Sequence, residues 1–252
     1  MLDLHVHLIG HRERKANRAV LQSYLEAARR QGIRTIGFTD HDMYWDELDL
    51  PMIRESALSS ADQEVLVGLE VDYRPDDAGR IAERLKQFKF DYVIGSVHEI
   101  HGWPFDMEDQ EGSCRAQDAD ALYRRYFALI AQAARSGLFQ IIGHLDLIKL
   151  FGIRPNADIL ALAAEALDAI QDQGLAVEIN TNGRYKPVGE FYPEGKLVQE
   201  IQRRGIHFTL GSDAHQAENV GRDLAEALEI LRAAGVGEIV SFKSGRKIYH
   251  RI

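Results

Sequence analysis

The chain has 252 residues and a single cysteine, Cys114. One thiol cannot form a disulfide within the chain, and so few cysteines are typical of proteins from reducing compartments. No apolar run approaches the roughly 20 residues that a membrane-spanning helix needs, and the N-terminus lacks the apolar core of a signal peptide. We therefore expect a cytoplasmic protein that does not bind a membrane.

Basic residues are also scarce. The 30 Lys and Arg are outnumbered by 39 Asp and Glu, and the net charge is −9. Nucleic-acid-binding surfaces need clustered positive charge, so we expect no nucleic-acid partner. The chain shows neither an internal repeat nor a break in composition, and its length suits one α/β domain. We expect a single domain over residues 1–252, and the sequence leaves the oligomeric state open.

Short apolar runs, each typical of a buried strand, alternate with amphipathic stretches typical of helices. Seven such runs predict a mainly parallel sheet with crossover helices. In a closed α/β barrel the C-terminal ends of all strands meet at one mouth, whereas a flat sheet spreads them along an edge. The pattern also predicts a helix capped by Asn156, a last long helix over residues 218–234, and an irregular loop over residues 99–118. Long loops of this kind in compact domains are usually functional or mobile.

Metal-ligand side chains follow these apolar runs. His5 and His7 are two residues apart on the first run, so they project from the same face of a strand. The other side chains of this kind at run ends are His41, Glu70, His98, His144, Asp213 and His215. One histidine or aspartate at a strand end is more often structural, but six of ten histidines in this position predict a metal site. Mixed imidazole and carboxylate ligands favour zinc, manganese or iron.

These motifs resemble, in order, those of the polymerase-and-histidinol-phosphatase (PHP) superfamily. They are His5-Val6-His7, Thr39-Asp40-His41, Gly68-Leu69-Glu70, Gly95-Ser96-Val97-His98, Gly143-His144-Leu145-Asp146 and Gly211-Ser212-Asp213-Ala214-His215. Residues 90–98 and 134–146 are similar to the histidinol-phosphatase branch in particular. The resemblance covers nearly the whole chain.

The resemblance implies a distorted (β/α)7 barrel of the PHP type, with three divalent ions at the C-terminal ends of the strands. Carried over position by position, the first ion would take His5, His7, Glu70 and Asp213. The second would share Glu70 and take His98 and His144. The third would take His11, His41 and His215. Only the resemblance identifies His11, which the apolar pattern would leave as a loop histidine.

The resemblance also implies the activity of a metal-dependent phosphomonoesterase, namely hydrolysis of L-histidinol phosphate in histidine biosynthesis. Glu70 would bridge two ions, while Asp213 and His215 would combine metal ligation with proton transfer. Arg154 is a candidate for binding the substrate phosphate, although a solvated loop arginine is an equally good interpretation.

The chain departs from the branch after Asn180-Thr181-Asn182-Gly183. The branch has an apolar residue and then Arg at this point, whereas here Arg184, Tyr185 and Lys186 follow. We therefore expect a phosphate contact from Arg184 or Lys186. Acidic residues of the 99–118 loop are candidates for facing the substrate amine.

Three other functions remain open from the sequence. The same chemistry could act on a phosphotyrosine peptide, a sugar phosphate or a nucleotide. The superfamily also includes nuclease modules, which the lack of a basic groove disfavours. A non-catalytic metal-binding protein is the third alternative, and the complete ligand set argues against it.

Overall fold

The computed structural model describes residues 1–59 and 62–252. The strands in this part of the chain are β1 (Leu2–Val6), β2 (Thr35–Phe38), β3 (Glu64–Asp72), β4 (Tyr92–Ser96), β5 (Ile141–Ile142), β6 (Ala176–Asn180), β7 (His207–Gly211), β8 (Glu238–Lys243) and β9 (Arg246–Arg251). The helices are α1 (Arg18–Arg30), α2 (Leu50–Ser59), α3 (Ala78–Leu85), α4 (Glu111–Arg115), α5 (Ala119–Arg135), α6 (Ile159–Asp172), α7 (Gly195–Arg203) and α8 (Leu224–Ala233).

Strands β1 to β7 form one parallel sheet whose spatial order is the order of the sequence. Val6 forms a parallel bridge with Ala214, just beyond β7, and the backbone N–H of His7 donates to the carbonyl of Ala214 at 2.9 Å. Strands β1 and β7, at the two edges of the sheet, therefore meet, and the sheet closes into a barrel. The predicted seven-stranded (β/α) barrel is confirmed.

A tyrosine fills the interior of this barrel on the side of the N-terminal strand ends. Tyr92, in β4, is buried, and its hydroxyl donates to the carbonyl of Leu4 in β1 at 2.8 Å. Gly37 in β2 and Gly68 in β3 make room for the ring, because a Cβ on Gly37 would lie 1.7 Å from the Tyr92 hydroxyl. The barrel is packed at this level, as the fold requires, and the opposite ends of the strands remain for a site.

Two helix boundaries differ from the sequence predictions. Asp158, not Asn156, caps α6, because its side chain accepts from the N–H of Leu160 while the N–H of Asn156 donates to Asp120. The last helix begins at Leu224 rather than at residue 218. A 3₁₀ turn over Ala217–Asn219 and a left-handed backbone at Asp223 (φ 59°) precede it.

The structure adds elements that the apolar pattern did not predict. Helix α2 follows an acidic stretch and has Pro51 in its first turn, where a missing N–H is tolerated. Strands β8 and β9 form an antiparallel hairpin whose Val240 and Phe242 belong to the main hydrophobic core.

The 99–118 loop is ordered by its own contacts. Ile100 and Trp103 form a bridge, and the buried thiol of Cys114 donates to the carbonyl of Phe105 at 3.3 Å. Burial raises the pKa of Cys114 to about 11, so the thiol stays protonated and unreactive.

Within residues 1–59 and 62–252, no helix combines the length and the apolar character needed to cross a bilayer.

Candidate metal centre

Seven imidazoles meet at the mouth formed by the C-terminal ends of the strands. His7 lies at the middle of this cluster, with its ring centroid 4.1 Å from that of His215, 4.6 Å from that of His41 and 5.1 Å from that of His5. Further ring pairs include His11–His215 at 4.4 Å, His98–His144 at 5.0 Å and His5–His144 at 5.9 Å. All the histidines predicted as ligands are therefore in one cluster, which we call the histidine cluster.

Glu70 lies among these rings and is almost fully buried. Its Oε2 is 2.9 Å from Nδ1 of His41, 3.3 Å from Nε2 of His5 and 3.5 Å from Nε2 of His7. Its Oε1 is 3.0 Å from Nε2 of His144 and 3.6 Å from Nε2 of His98. The two oxygens thus face two different groups of imidazoles, which is the arrangement that a bridging carboxylate needs.

Asp213 provides a second carboxylate beside β1. Its Oδ1 is 3.1 Å from Nε2 of His7, and its Oδ2 accepts from the side-chain amides of Asn180 at 3.3 Å and Asn182 at 3.2 Å. Asp213 has a φ of 51°, in the left-handed region that non-glycine residues rarely adopt. Backbone strain of this kind is found where a side chain must be aimed at a site.

Several nitrogens in the cluster are buried and make no hydrogen bond, among them Nε2 of His5, Nδ1 of His7, Nδ1 of His144 and Nε2 of His215. Buried polar atoms normally have partners, because leaving them unpaired is unfavourable. Three sets of ligand atoms also lie within 4.8 Å of one another: His5, His7 and Glu70; His41, Glu70 and His98; and His7, His41 and His215. Imidazole and carboxylate atoms at this spacing suit a divalent cation such as zinc.

His11 is the exposed member of the cluster, on the loop after β1. Its ring stacks near those of His41, at 5.5 Å, and His215. Burial, together with the charges of His215 and His41, lowers the pKa of His11 to about 4. The imidazole is therefore neutral at pH 7, the form that binds a metal.

Glu178, in β6, belongs to this site although the sequence analysis did not predict it. Its Oε1 is 2.7 Å from Nδ1 of His5, and its Oε2 accepts from the backbone N–H of His144 at 2.9 Å. Because a carboxylate only accepts, Nδ1 of His5 carries a proton, and Nε2 is the nitrogen that faces the cluster and would bind a metal ion. Gly211 leaves the space, since a Cβ there would lie 1.9 Å from Oε1 of Glu178.

Asp72 contacts the Nδ1 atom of His98 in the way that Glu178 contacts that of His5. Glu178 lies inside β6, and Asp72 ends β3 two residues after Glu70, so a search of the residues that directly follow apolar runs does not find either of them. The available signal was an acidic residue in an apolar strand, two positions from another polar residue on the same face.

The candidate substrate-binding cations lie in ion pairs or in solvent. Arg154, about a third exposed, has Nη2 2.6 Å from Oε1 of Glu190. Arg184 forms two hydrogen bonds to Glu226, of 2.5 and 2.6 Å. Lys186 is exposed. Their roles in substrate binding stay predictions.

Among the acids of the 99–118 loop, Asp106 interacts electrostatically with His98 of the cluster. Burial raises its pKa, and the charge of His98 opposes this rise, which places the two groups within electrostatic reach.

A parallel seven-stranded barrel with imidazoles and carboxylates converging at its mouth defines a candidate metal-binding α/β-barrel protein. The PHP domain family model matches residues 3–182, and the chain belongs to this family. The predicted resemblance is thereby confirmed.

The chain is similar in sequence to proteins named as histidinol-phosphatases. A probable histidinol-phosphatase of Deinococcus radiodurans is 40% identical, with 96% of each chain covered. The histidinol-phosphatase of Bacillus subtilis is 27% identical, over 80% of this chain and 89% of the relative. In three dimensions the chain is similar to the histidinol phosphate phosphatase of Lactococcus lactis, solved with zinc, L-histidinol and phosphate. The TM-score is 0.75, with 22% identity and 98% of each chain covered.

We predict that Glu178→Gln weakens zinc binding by about 10- to 100-fold, because a carboxylate that orients a ligating histidine raises its basicity. Competition with a chromogenic chelator measures the affinity. Glu238→Gln is the control, since Glu238 pairs with His207, at 4.0 Å, in another part of the barrel. Zinc affinity equal to that of the unmodified protein in Glu178→Gln would contradict the role of Glu178.

Proposed function

We propose that this protein is a metal-dependent phosphomonoesterase that hydrolyses L-histidinol phosphate to L-histidinol and phosphate, a step of histidine biosynthesis in the cytoplasm. The observation that carries the proposal is the position of Glu70, with each carboxylate oxygen facing its own group of imidazoles. The name of the Deinococcus relative and the ligands of the Lactococcus structure support the choice of substrate.

We further propose three divalent ions, in the ligand sets that the resemblance implies. His5, His7, Glu70 and Asp213 would hold the first, and Glu70, His98 and His144 the second. His11, His41 and His215 would hold the third. The zinc in the Lactococcus structure supports zinc, while manganese and iron suit the same ligands.

Bound divalent ions would neutralise the phosphate oxygens and lower the pKa of a water to about 7, which makes a nucleophile available at neutral pH. The protein's own groups prepare this site. Glu178 and Asp72 hold His5 and His98 in the ligating tautomer and orientation. Asp213 and His215, two residues apart beside this site, would combine metal ligation with proton transfer.

L-histidinol phosphate, the proposed substrate, carries a phosphate dianion and a primary ammonium group. We propose that Arg154 binds the phosphate, exchanging Glu190 for it, with Arg184 and Lys186 as further candidates. Asp106 would face the ammonium, because it is the loop acid within electrostatic reach of His98.

Steady-state kinetics of the metal-replete protein over a panel of substrates test this function. The panel contains L-histidinol phosphate, p-nitrophenyl phosphate, a phosphotyrosine peptide, a sugar phosphate, a nucleoside monophosphate and a single-stranded oligonucleotide. We expect kcat/KM for histidinol phosphate to exceed every other value by about 10²-fold or more, because a site with paired polar groups rejects substrates that lack their partners. Equal efficiency on aryl phosphates would favour a generalist phosphatase, and cleavage of the oligonucleotide a nuclease.

Glu70→Gln tests the bridging carboxylate. The nearly isosteric change removes one negative charge from between the imidazoles, so we expect loss of most activity and of bound zinc with an unchanged circular dichroism spectrum. Glu64→Gln is the matched control, because Glu64 begins the same strand at the opposite end of the barrel and pairs with Lys243. Wild-type turnover in Glu70→Gln would exclude the bridging role.

A pair of variants separates the two substrate contacts. We expect Arg154→Ala to lower kcat/KM by about 10²-fold for both histidinol phosphate and p-nitrophenyl phosphate, since a charge-assisted hydrogen bond contributes about 1.5–3 kcal/mol and a bidentate one more. Asp106→Asn should impair only histidinol phosphate, because the aryl ester has no ammonium. Both variants should retain their metal content. Unchanged kinetics in either variant would remove that residue from the substrate site.

A further inference from the structure

We propose that Arg222 is a positioning residue for the metal centre. Acting through Asn182, it would fix the orientation of the Asp213 carboxylate toward the predicted metal ligands. The inference rests on the metal centre of the proposed function, but not on the identity of the phosphate ester. No motif in the sequence pointed to Arg222.

The three side chains form a continuous chain of hydrogen bonds. Nη2 of Arg222 donates to Oδ1 of Asn182 at 3.1 Å, and Nδ2 of Asn182 donates to Oδ2 of Asp213 at 3.2 Å. The guanidinium lies over the ring of Tyr185, 3.4 Å from its centroid. Arg222 is thus one side chain away from a predicted metal ligand.

The chemistry of arginine fixes the donor and the acceptor in each of these hydrogen bonds. An amide side chain can present either its oxygen or its nitrogen, whereas a guanidinium only donates. The atom of Asn182 that faces Arg222 must therefore be the oxygen, and its NH₂ group must point at Asp213. Asp213 selects the same orientation of Asn182 because a carboxylate only accepts, so the guanidinium and the carboxylate hold the amide from both sides, and loss of the guanidinium would remove one of the two anchors.

The orientation of Asn182 in turn determines how the carboxylate of Asp213 is held. Its Oδ2 accepts from both Asn180 and Asn182, so this oxygen is satisfied by two amide donors. Oδ1 is left facing Nε2 of His7 and, at 3.8 Å, Nε2 of His5. Partners beyond the ligands commonly set ligand orientation and metal affinity in this way.

Arg222 itself is held in place. Its carbonyl accepts from the hydroxyl of Thr181 at 2.7 Å, and Nη1 donates to Oδ1 of Asn219 at 3.2 Å. Among the described residues it has no carboxylate within ion-pair distance, unlike neighbouring Arg184, which pairs with Glu226. Its positive charge therefore acts on the site through Asn182 rather than being neutralised at the surface.

Zinc affinity, measured by chelator competition, tests the inference without substrate. We expect Arg222→Leu to weaken at least one bound ion by about tenfold or more. Asn182→Leu, which keeps the size of the side chain but removes the relay, should have an effect at least as large. The double variant should bind zinc no more weakly than Asn182→Leu alone, because Arg222 acts only through Asn182. Arg232→Leu is the control and should keep full affinity, because Arg232 pairs with Glu229 on the surface of α8.

Three outcomes would overturn the inference. Unchanged zinc affinity in Arg222→Leu with a raised inhibition constant for inorganic phosphate would make Arg222 a direct phosphate ligand. Additive losses in the double variant would mean that it acts independently of Asn182. Full affinity in Asn182→Leu would exclude the relay, even if Arg222→Leu failed to fold. A wild-type protein that binds zinc but ignores histidinol phosphate would refute the proposed function and leave this result standing.

Discussion

The carboxylate of Glu70, buried among five imidazoles of the histidine cluster, is the constraint on which the mouth of the barrel depends. An isolated charge in such a place is strongly disfavoured. Burial alone would raise the pKa of Glu70, but the charges of His41 and His5 and the hydrogen bond from His144 outweigh it and hold the pKa well below its usual range. The charged carboxylate and the histidines therefore require each other, and divalent ions between them would satisfy both.

Around this centre lies a second layer of polar groups that hold the predicted metal ligands. Glu178 fixes His5 from β6, Asp72 contacts His98 from β3, and the amides of Asn180 and Asn182 bind Asp213. These groups come from several strands and loops, so the site is a property of the closed barrel. This arrangement requires glycine at position 211, because Glu178 occupies the space that a side chain there would need.

Part of the site could be read from the sequence for a simple physical reason. Parallel strands in a barrel place their C-terminal ends together, so His41, His98 and His144 could be assigned to one mouth from their positions after apolar runs. Glu178 could not be assigned, because a position inside a strand does not reveal which barrel neighbour its side chain will meet. His11 was found by family resemblance alone, since no periodicity marks a loop histidine.

The sequence by itself determined the alternation of strands and helices, the ligand types and hence the kind of cation they suit, because these follow from local periodicity and side-chain chemistry. Tertiary structure alone decided which nitrogen of His5 faces the centre, how the carboxylate of Asp213 is oriented, and that Arg222 reaches Asp213 through Asn182. Those features depend on contacts between residues far apart in the chain, such as His7 and Asp213, which are 206 positions apart. Only closure of β1 against β7 creates such contacts, and no local pattern encodes them.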